Sequence, residues 1–194
     1  AGKVATNRPA LLTYDYLSID TGAVMEKPTL ERLVPGAFEH GLMTRPTEQF
    51  VNRWSQAFSR AQAAPDKPWH VTVVGSDASA TELVLAMQHG LHAAGVSATV
   101  RLLTQGPEVA PECPKGVRRR LEAQLRLRHV EVIPQRCKCV QKTAVELEDG
   151  RSLPSDITVI ATGAAAPHWL EHSGLARDTG GFALVNAFLQ RTSS

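Results

Sequence analysis

The chain has 194 residues, 43% of them hydrophobic, and a formal net charge of +2. That length supports one full core with flanking pieces of another, and so small a charge excludes a strong electrostatic case for nucleic-acid binding. No apolar run approaches the ~20 residues that span a bilayer, no signal peptide precedes residue 20, and three cysteines favour a reducing compartment over a disulfide framework, so a cytoplasmic location is expected.

In chain order, Leu17-Ser-Ile19 reads as a short buried strand running into a tight turn at Gly22. Residues 23–46, with Pro28, Pro35 and Pro46, read as irregular chain, a crossing or linker. Phe50, Val51, Trp54, Ala57, Phe58 and Ala61 mark an amphipathic helix of about four turns, which Pro65-Asp-Lys-Pro68 ends. Val71, Val73 and Val74 are β-branched residues in a short run bounded by Gly75, the pattern of a buried strand. Ala80, Leu83, Val84, Met87, Leu91 and Ala94 then repeat at helical spacing on one face, and Gly95 stops the helix. Ala98 to Leu103 forms the next strand. Gly106 and its neighbouring prolines make a loop, after which Val117, Leu121 and Leu125 define a helix with Arg118, Arg119, Arg120, Arg126 and Arg128 on its outer face. Val130 to Ile133 is a third strand. Cys137–Val140 and Ala144–Glu148, with the turn signal Asp149-Gly150, predict an antiparallel meander from about 137 to 153. Asp156 to Ala161 is an apolar strand ending in Thr162-Gly163. The elements predict an α/β, Rossmann-like fold with helices on both faces of a central parallel sheet of about three or four strands. Its strands lie near 71–75, 98–103, 130–133 and 157–160, and helices 79–94 and 115–128 cross over between them.

The stretch from His70 to Leu91 carries the functional signal. A buried strand, a sharp turn opening on glycine and an amphipathic helix have the shape of the first βα unit of a dinucleotide-binding domain, where a pyrophosphate sits on the helix N-terminus. Of the three G-x-G-x-x-G positions only Gly75 is glycine, with Asp77 and Ala80 at the other two. Ser76, Asp77 and Ser79 can each act as N-cap. The second glycine exists so that backbone can approach the pyrophosphate, and a carboxylate there brings bulk and charge. At about 5 Å and an effective dielectric of ~20, like unit charges cost roughly 3 kcal/mol, about two decades of affinity. Ala80 adds one methyl where the helix packs on the strand. A plain strand-to-helix turn is the competing account of Gly75.

Five segments in order carry a resemblance: Tyr14-Asp-Tyr-Leu-Ser-Ile-Asp-Thr-Gly22, the 70–91 unit, the hairpin from Leu147 to Asp156, Ile160-Ala-Thr-Gly163, and the tail from Gly174 to Ser194. This order resembles the two-dinucleotide flavoprotein reductases of the pyridine nucleotide-disulfide oxidoreductase superfamily. The wording of residues 17–22, 45–54, 117–125 and 161–170 is similar to the NADH dehydrogenase-like branch associated with selenide, water dikinase. The resemblance implies a parent that passes hydride from NAD(P)H to FAD, with the cofactors carrying the chemistry and this domain supplying position. The family's G-x-G-x-x-G for the ADP half of FAD and its A-x-G-D motif do not occur here, so the chain is expected to be the nicotinamide domain with two flavin-domain flanks. Residues 1–45 are then a flavin-domain flank and linker, 46–164 the NAD(P)-binding-like domain, and 165–194 the return toward the flavin domain. By itself the chain is not expected to hold FAD. Its expected partners are the nucleotide cofactor and the flavin domain of the parent. Neither nucleic acid nor a transmembrane segment is expected, and a homo-oligomer is compatible with the sequence.

The cofactor-binding candidates are Gly75, Ser76, Asp77, Ala78, Ser79, Ala80, Glu82, Thr104, Thr162 and Gly163. Glu82 matches the acidic residue that in the resembling reductases lies near nicotinamide and flavin; the alternative is a glutamate favourable to the helix dipole. Ribose selection falls to the end of the second strand, here Leu103-Thr104-Gln105 with Arg101 two residues earlier, which leaves NADH and NADPH both open. Thr162, Gly163 and Ala164 resemble the A-T-G turn under the nucleotide, with a tight strand exit as the alternative. Cys137 and Cys139 lie two apart on a strand and read as packing rather than metal or redox groups. His70, His89 and His92 make no ligand set by spacing, and the arginine run reads as a solvated helix face. Two rival functions stay open: a Rossmann-like module that has lost nucleotide binding and serves as a structural or interaction domain, and a methyltransferase-like nucleotide fold with Asp77 as an adenosine contact.

Overall fold

A computed structural model describes residues 14–162 and 164–191. In chain order it contains β1 (Val24–Met25), α1 (Lys27–Leu33), α2 (Ala37–His40), β2 (Gly41–Met43), α3 (Thr47–Gln62), β3 (Trp69–Val74), α4 (Ala78–Ala93), β4 (Ala98–Leu103), α5 (Lys115–Leu127) and β5 (Glu131–Ile133). There follow β6 (Cys137–Val140), β7 (Ala144–Leu147), β8 (Ser152–Pro154), β9 (Ile157–Ile160), β10 (Ala164–Ala165) and a 3-10 turn at His168–His172. No described helix is long and apolar enough to cross a membrane.

The central sheet has five strands in the order β2-β9-β3-β4-β5, and every pair is parallel. Alternation along its strands divides the core in two. Val71, Val73, Leu102 and Val159 pack with Phe50 and Ala57 of α3, Ala80, Val84, Met87 and Leu91 of α4, and Leu125 of α5. The intervening Val74, Leu103 and Ile160 pack with Leu30 and Ala37 from α1 and α2 and with Cys137, Val140, Val145 and Leu147 of the antiparallel sheet β6-β7-β8. Three long helices thus cover one face, and the meander with two short helices covers the other. The predicted parallel core, crossover helices and meander are all present.

The sheet is wider than predicted. Residues 23–46, read as irregular, hold α1, α2 and β2, and β2 pairs with β9 through Gly41↔Thr158 to Met43↔Ile160. The two helices are too short, at 7 and 4 residues, to show periodicity. Pro28 breaks neither, since it sits at the start of α1, where a missing N–H costs nothing. Gly36 is required here: its φ is 78°, and a Cβ would lie 2.1 Å from the Val140 carbonyl oxygen where α2 crosses β6.

Leu17–Ile19, predicted as a buried strand, is not one. Leu17 is 63% and Ile19 44% exposed, and the strand in this region is Val24–Met25, paired antiparallel with Ala164–Ala165. Apolar alternation alone makes no strand; a neighbouring backbone must take its hydrogen bonds.

Opposite the functional edge, the N-terminal ends of the strands are fixed by Asp156. Its carboxylate accepts from His70 N–H at 2.9 Å and from Lys67 Nζ at 2.6 Å, while Lys67 also lies over the Trp69 ring, 4.1 Å from the centroid. These contacts set the register from which β3 and β9 run in parallel to the site.

Candidate functional site

The strand order reverses between β3 and β9: connections from β3 lead outward through β4 to β5, whereas β9 lies on the other side. Ligands of open α/β sheets bind outside the carboxyl ends of the strands at such a switch point. Two turns flank it here, Gly75-Ser76-Asp77 after β3 and Ala161-Thr162 after β9. They are held together because Ala161 N–H donates to the Val74 carbonyl at 2.9 Å, while Gly75 N–H donates to Leu103 at 3.0 Å.

Gly75 is glycine for reasons of space. A Cβ on it would lie 2.8 Å from Ala80 Cβ and 3.0 Å from the Ala161 carbonyl oxygen. The buried Ala80 therefore does for helix–strand packing what the last glycine of a fingerprint does, with one methyl added, and leaves no room for a second at position 75. Asp77 is the N-cap of α4. Its Oδ1 accepts from Ala80 N–H at 2.8 Å and from the Ser79 hydroxyl at 2.9 Å. Its carbonyl accepts from Thr81 N–H at 3.1 Å and from the Thr81 hydroxyl at 2.9 Å. A second carboxylate stands beside it: Glu112 Oε1, from the loop after β4, accepts from Ala78 N–H at 2.6 Å.

A cavity of about 130 Å³ opens between the two turns, lined by Ser76, Asp77 and Ser79 on one wall, Ala161, Thr162 and Ala164 on another, and Met25, Thr44 and Arg45 on the third. Thr44 belongs to the sheet edge, its N–H and hydroxyl both donating to the Ile160 carbonyl at 3.2 Å. Thr162 and Ala164 also line a second cavity of about 220 Å³, on the meander side, with Leu30, Gln105, Arg136, Cys137 and Glu148. Gln105 Nε2 reaches the Thr162 hydroxyl at 3.4 Å, spanning the end of β3. Together the cavities form a crevice along the sheet's carboxyl edge.

Of the predicted site residues, Ser76, Asp77, Ser79 and Thr162 meet at the first cavity, and Gly75, Ala78 and Ala80 form the backbone behind them. Glu82 lies exposed on α4 and lines neither cavity. Thr104 is 1% exposed, and its hydroxyl donates to the Gly106 carbonyl at 2.6 Å, so it shapes the loop and does not face the crevice. Gly163 lies outside the described residues. Sequence reasoning missed Arg45 and Glu112. Arg45 follows β2, a strand with no legible pattern, and has no ion-pair partner among the described residues. Glu112 lies in a loop whose sequence carries no signal of where it folds back.

Cys137 is buried; burial first, and then the neighbouring Cys139, push its thiol up to about 12, which suits packing and opposes thiolate chemistry. Among the described residues no three His, Cys, Asp or Glu side chains gather as a metal site. Arg118 of the arginine run pairs with Glu108 at 2.6 Å, and Arg119 and Arg120 are exposed. The crevice offers hydroxyls, the guanidiniums of Arg45 and Arg136, the carboxylates of Asp77 and Glu148, and backbone at its walls. Such walls have the groups to hydrogen-bond an elongated polar ligand.

A family model described as pyridine nucleotide-disulphide oxidoreductase matches residues 2–194. The chain belongs to that family. No curated protein sequence matches it. Among solved structures, this pyridine nucleotide-disulphide oxidoreductase chain is similar to a NAD-dependent persulfide reductase from A. fulgidus, at 23% identity and TM-score 0.67, over 93% of this chain and 32% of that one. It is also similar to NDH2 from Plasmodium falciparum, solved in complex with NADH, at 14% identity and TM-score 0.64, over 82% of this chain and 36% of that one. A third likeness is to reduced Bacillus anthracis CoADR-RHD, at 20% identity and TM-score 0.63, over 83% of this chain and 27% of that one. At such identities the likeness is one of fold. The chain spans about a third or less of the length of these neighbours.

Proposed function

We propose that this chain is the nicotinamide-nucleotide-binding domain of an FAD-dependent NAD(P)H oxidoreductase, whose full-length parent passes hydride from NAD(P)H to FAD. The observation that carries the reading is the meeting of the Gly75–Ala80 turn with Ala161–Thr162 at the switch point of a parallel sheet, in a chain of this family. In the proposed complex the ligand lies along the carboxyl edge of the sheet. Ser76 and Thr162 donate hydroxyl hydrogen bonds to its diphosphate and sugars, and Arg45 supplies the cation that offsets Asp77. The nicotinamide nucleotide would carry the hydride; these residues bind, orient and exclude water around it. Residues 46–164 are proposed as the nucleotide domain, to which the end of the 1–45 flank adds α1, α2, β2 and Arg45, and 165–194 as the flank that returns toward the flavin domain. A cytoplasmic setting belongs to the same proposal.

The fit is incomplete at one point. Two of the N–H groups at the start of α4, on Ala78 and Ala80, are already taken by Glu112 and Asp77. This favours a second reading, a Rossmann-like module that has lost nucleotide binding and acts as a structural or interaction domain. Calorimetric titration of the 194-residue chain with NADH and NADPH at low salt, for wild type and Asp77→Ser, separates them. The first reading expects saturable binding that tightens by up to about two decades in the variant, less what solvent screens. Absence of binding by both proteins at millimolar cofactor rejects it in favour of the second.

A further inference from the structure

We propose that Glu112 is an intramolecular stand-in for a phosphate, and that the β4–α5 loop is a latch that has to release it before an anionic nucleotide can use the start of α4. The inference rests on reading the crevice as a nucleotide site, and names what regulates access to it.

The loop is moored over the glycine turn. Ala110 N–H donates to the Ser76 carbonyl at 2.6 Å, and Cys113 N–H donates to the Ala110 carbonyl at 2.9 Å. Ala110 is fully buried, and Val109 beside it is 3% exposed. Ala110 also holds φ at 48°, a left-handed conformation that a side chain with a Cβ adopts only where its surroundings force it. Two residues on, Glu112 is exposed, and its carboxylate ends on Ala78 N–H, with the Cys113 thiol as its further contact at 3.9 Å. The mooring is thus buried, while the arm bearing the charge is exposed to solvent.

The chemistry of the contact is that of a phosphate oxygen. A carboxylate oxygen and a phosphate oxygen are both anionic acceptors for a free N–H in the first turn of a helix, and Ala78 has one N–H to give. Glu112 is therefore in direct competition with the diphosphate of a nucleotide. Asp77 is different, because it is fixed to its place as the cap and cannot leave without moving the helix start. Of the two charges at this turn, Glu112 is the displaceable one.

The test follows the backbone amides of the 194-residue chain by ¹H–¹⁵N NMR in wild type, Glu112→Ala and Glu112→Gln, titrated with inorganic pyrophosphate and, separately, with NADH. Without ligand, the Ala78 amide resonance is expected to move upfield in Glu112→Ala, as a charge-assisted hydrogen bond is lost. Pyrophosphate is expected to perturb Ala78 and Ser79 with an apparent Kd at least about tenfold lower in Glu112→Ala than in wild type. Glu112→Gln, whose amide oxygen still accepts but carries no charge, should fall between. Equal pyrophosphate affinity in all three proteins, or no perturbation of these amides in Glu112→Ala at concentrations on the order of 10 mM, overturns the latch. If pyrophosphate binding tightens while NADH binds no variant, the latch stands and the nicotinamide reading fails.

Discussion

Asp77 has two jobs that a single substitution confuses. As the cap of α4 it stabilises the fold, and as a carboxylate at the turn it opposes a bound diphosphate. Replacement by alanine removes both, so we expect Asp77→Ala to lower stability by about 0.5–2 kcal/mol in urea denaturation, whereas Asp77→Ser keeps the cap and should stay close to wild type. Equal losses for the two would show that the cap hydrogen bond contributes little. Gly75→Ala is expected to cost about 1–3 kcal/mol by overpacking against Ala80 and Ala161, which makes it a poor probe of binding. Arg45→Ala, by contrast, removes an exposed side chain. It should leave the melting temperature unchanged while weakening any NADH binding, and unchanged affinity would take Arg45 out of the site. The glycine, the cap and the adjoining serines were legible in the sequence because they obey local rules of turn and helix start. Arg45 and Glu112 obey none, for they are brought in by long-range packing of a three-residue strand and an irregular loop.

Among the elements, those with a long, regular apolar pattern were legible: α4, α5 and β4 lie within a residue of their predicted places, while α3 and β3 begin three and two residues before theirs. β2 was not, since Gly41-Leu-Met43 shows no alternation and becomes a strand only because β9 offers it an edge. The register of the central pair is tied at its far end by Asp156, and this gives a pH-dependent prediction. Burial pushes the Asp156 carboxyl up, but the hydrogen bond and charge of Lys67 and the His70 N–H more than offset this and hold it below its ordinary value of 3.8. A carboxyl depressed in the folded state stabilises fully above its unfolded value, and the contribution is lost as pH falls through the folded one. Lys67 is 47% exposed, so the ion pair is screened and its share is roughly 1 kcal/mol or less. Asp156→Asn should therefore be less stable than wild type at neutral pH by about that amount, and the gap should narrow at a pH below 3.8. A gap of equal size at both pH values would exclude the charge as its origin.

At the scale of the whole molecule, the two ends of the described chain stand apart from the core. Tyr14, Tyr16 and Leu17 are 65%, 95% and 63% exposed, and Phe188 and Leu189 are 81% and 82% exposed. So many large apolar side chains in two terminal segments are unusual for a surface that meets only water. On the proposed reading, both segments belong against a flavin domain. Two outcomes are expected of the purified 194-residue chain. It should be colourless, with no flavin absorbance band, because no described segment forms a second dinucleotide site; a stoichiometric flavin band would contradict the proposed division of the chain. It should also self-associate as concentration rises, since a second copy is the apolar surface nearest to hand. Replacing Phe188 and Leu189 by serine should shift sedimentation toward the monomer, and, because neither side chain belongs to a buried cluster, should change stability by no more than about 0.5 kcal/mol. A wild-type chain that stays monomeric at high concentration, or a double variant that unfolds, would mean that these residues are not a face awaiting a partner.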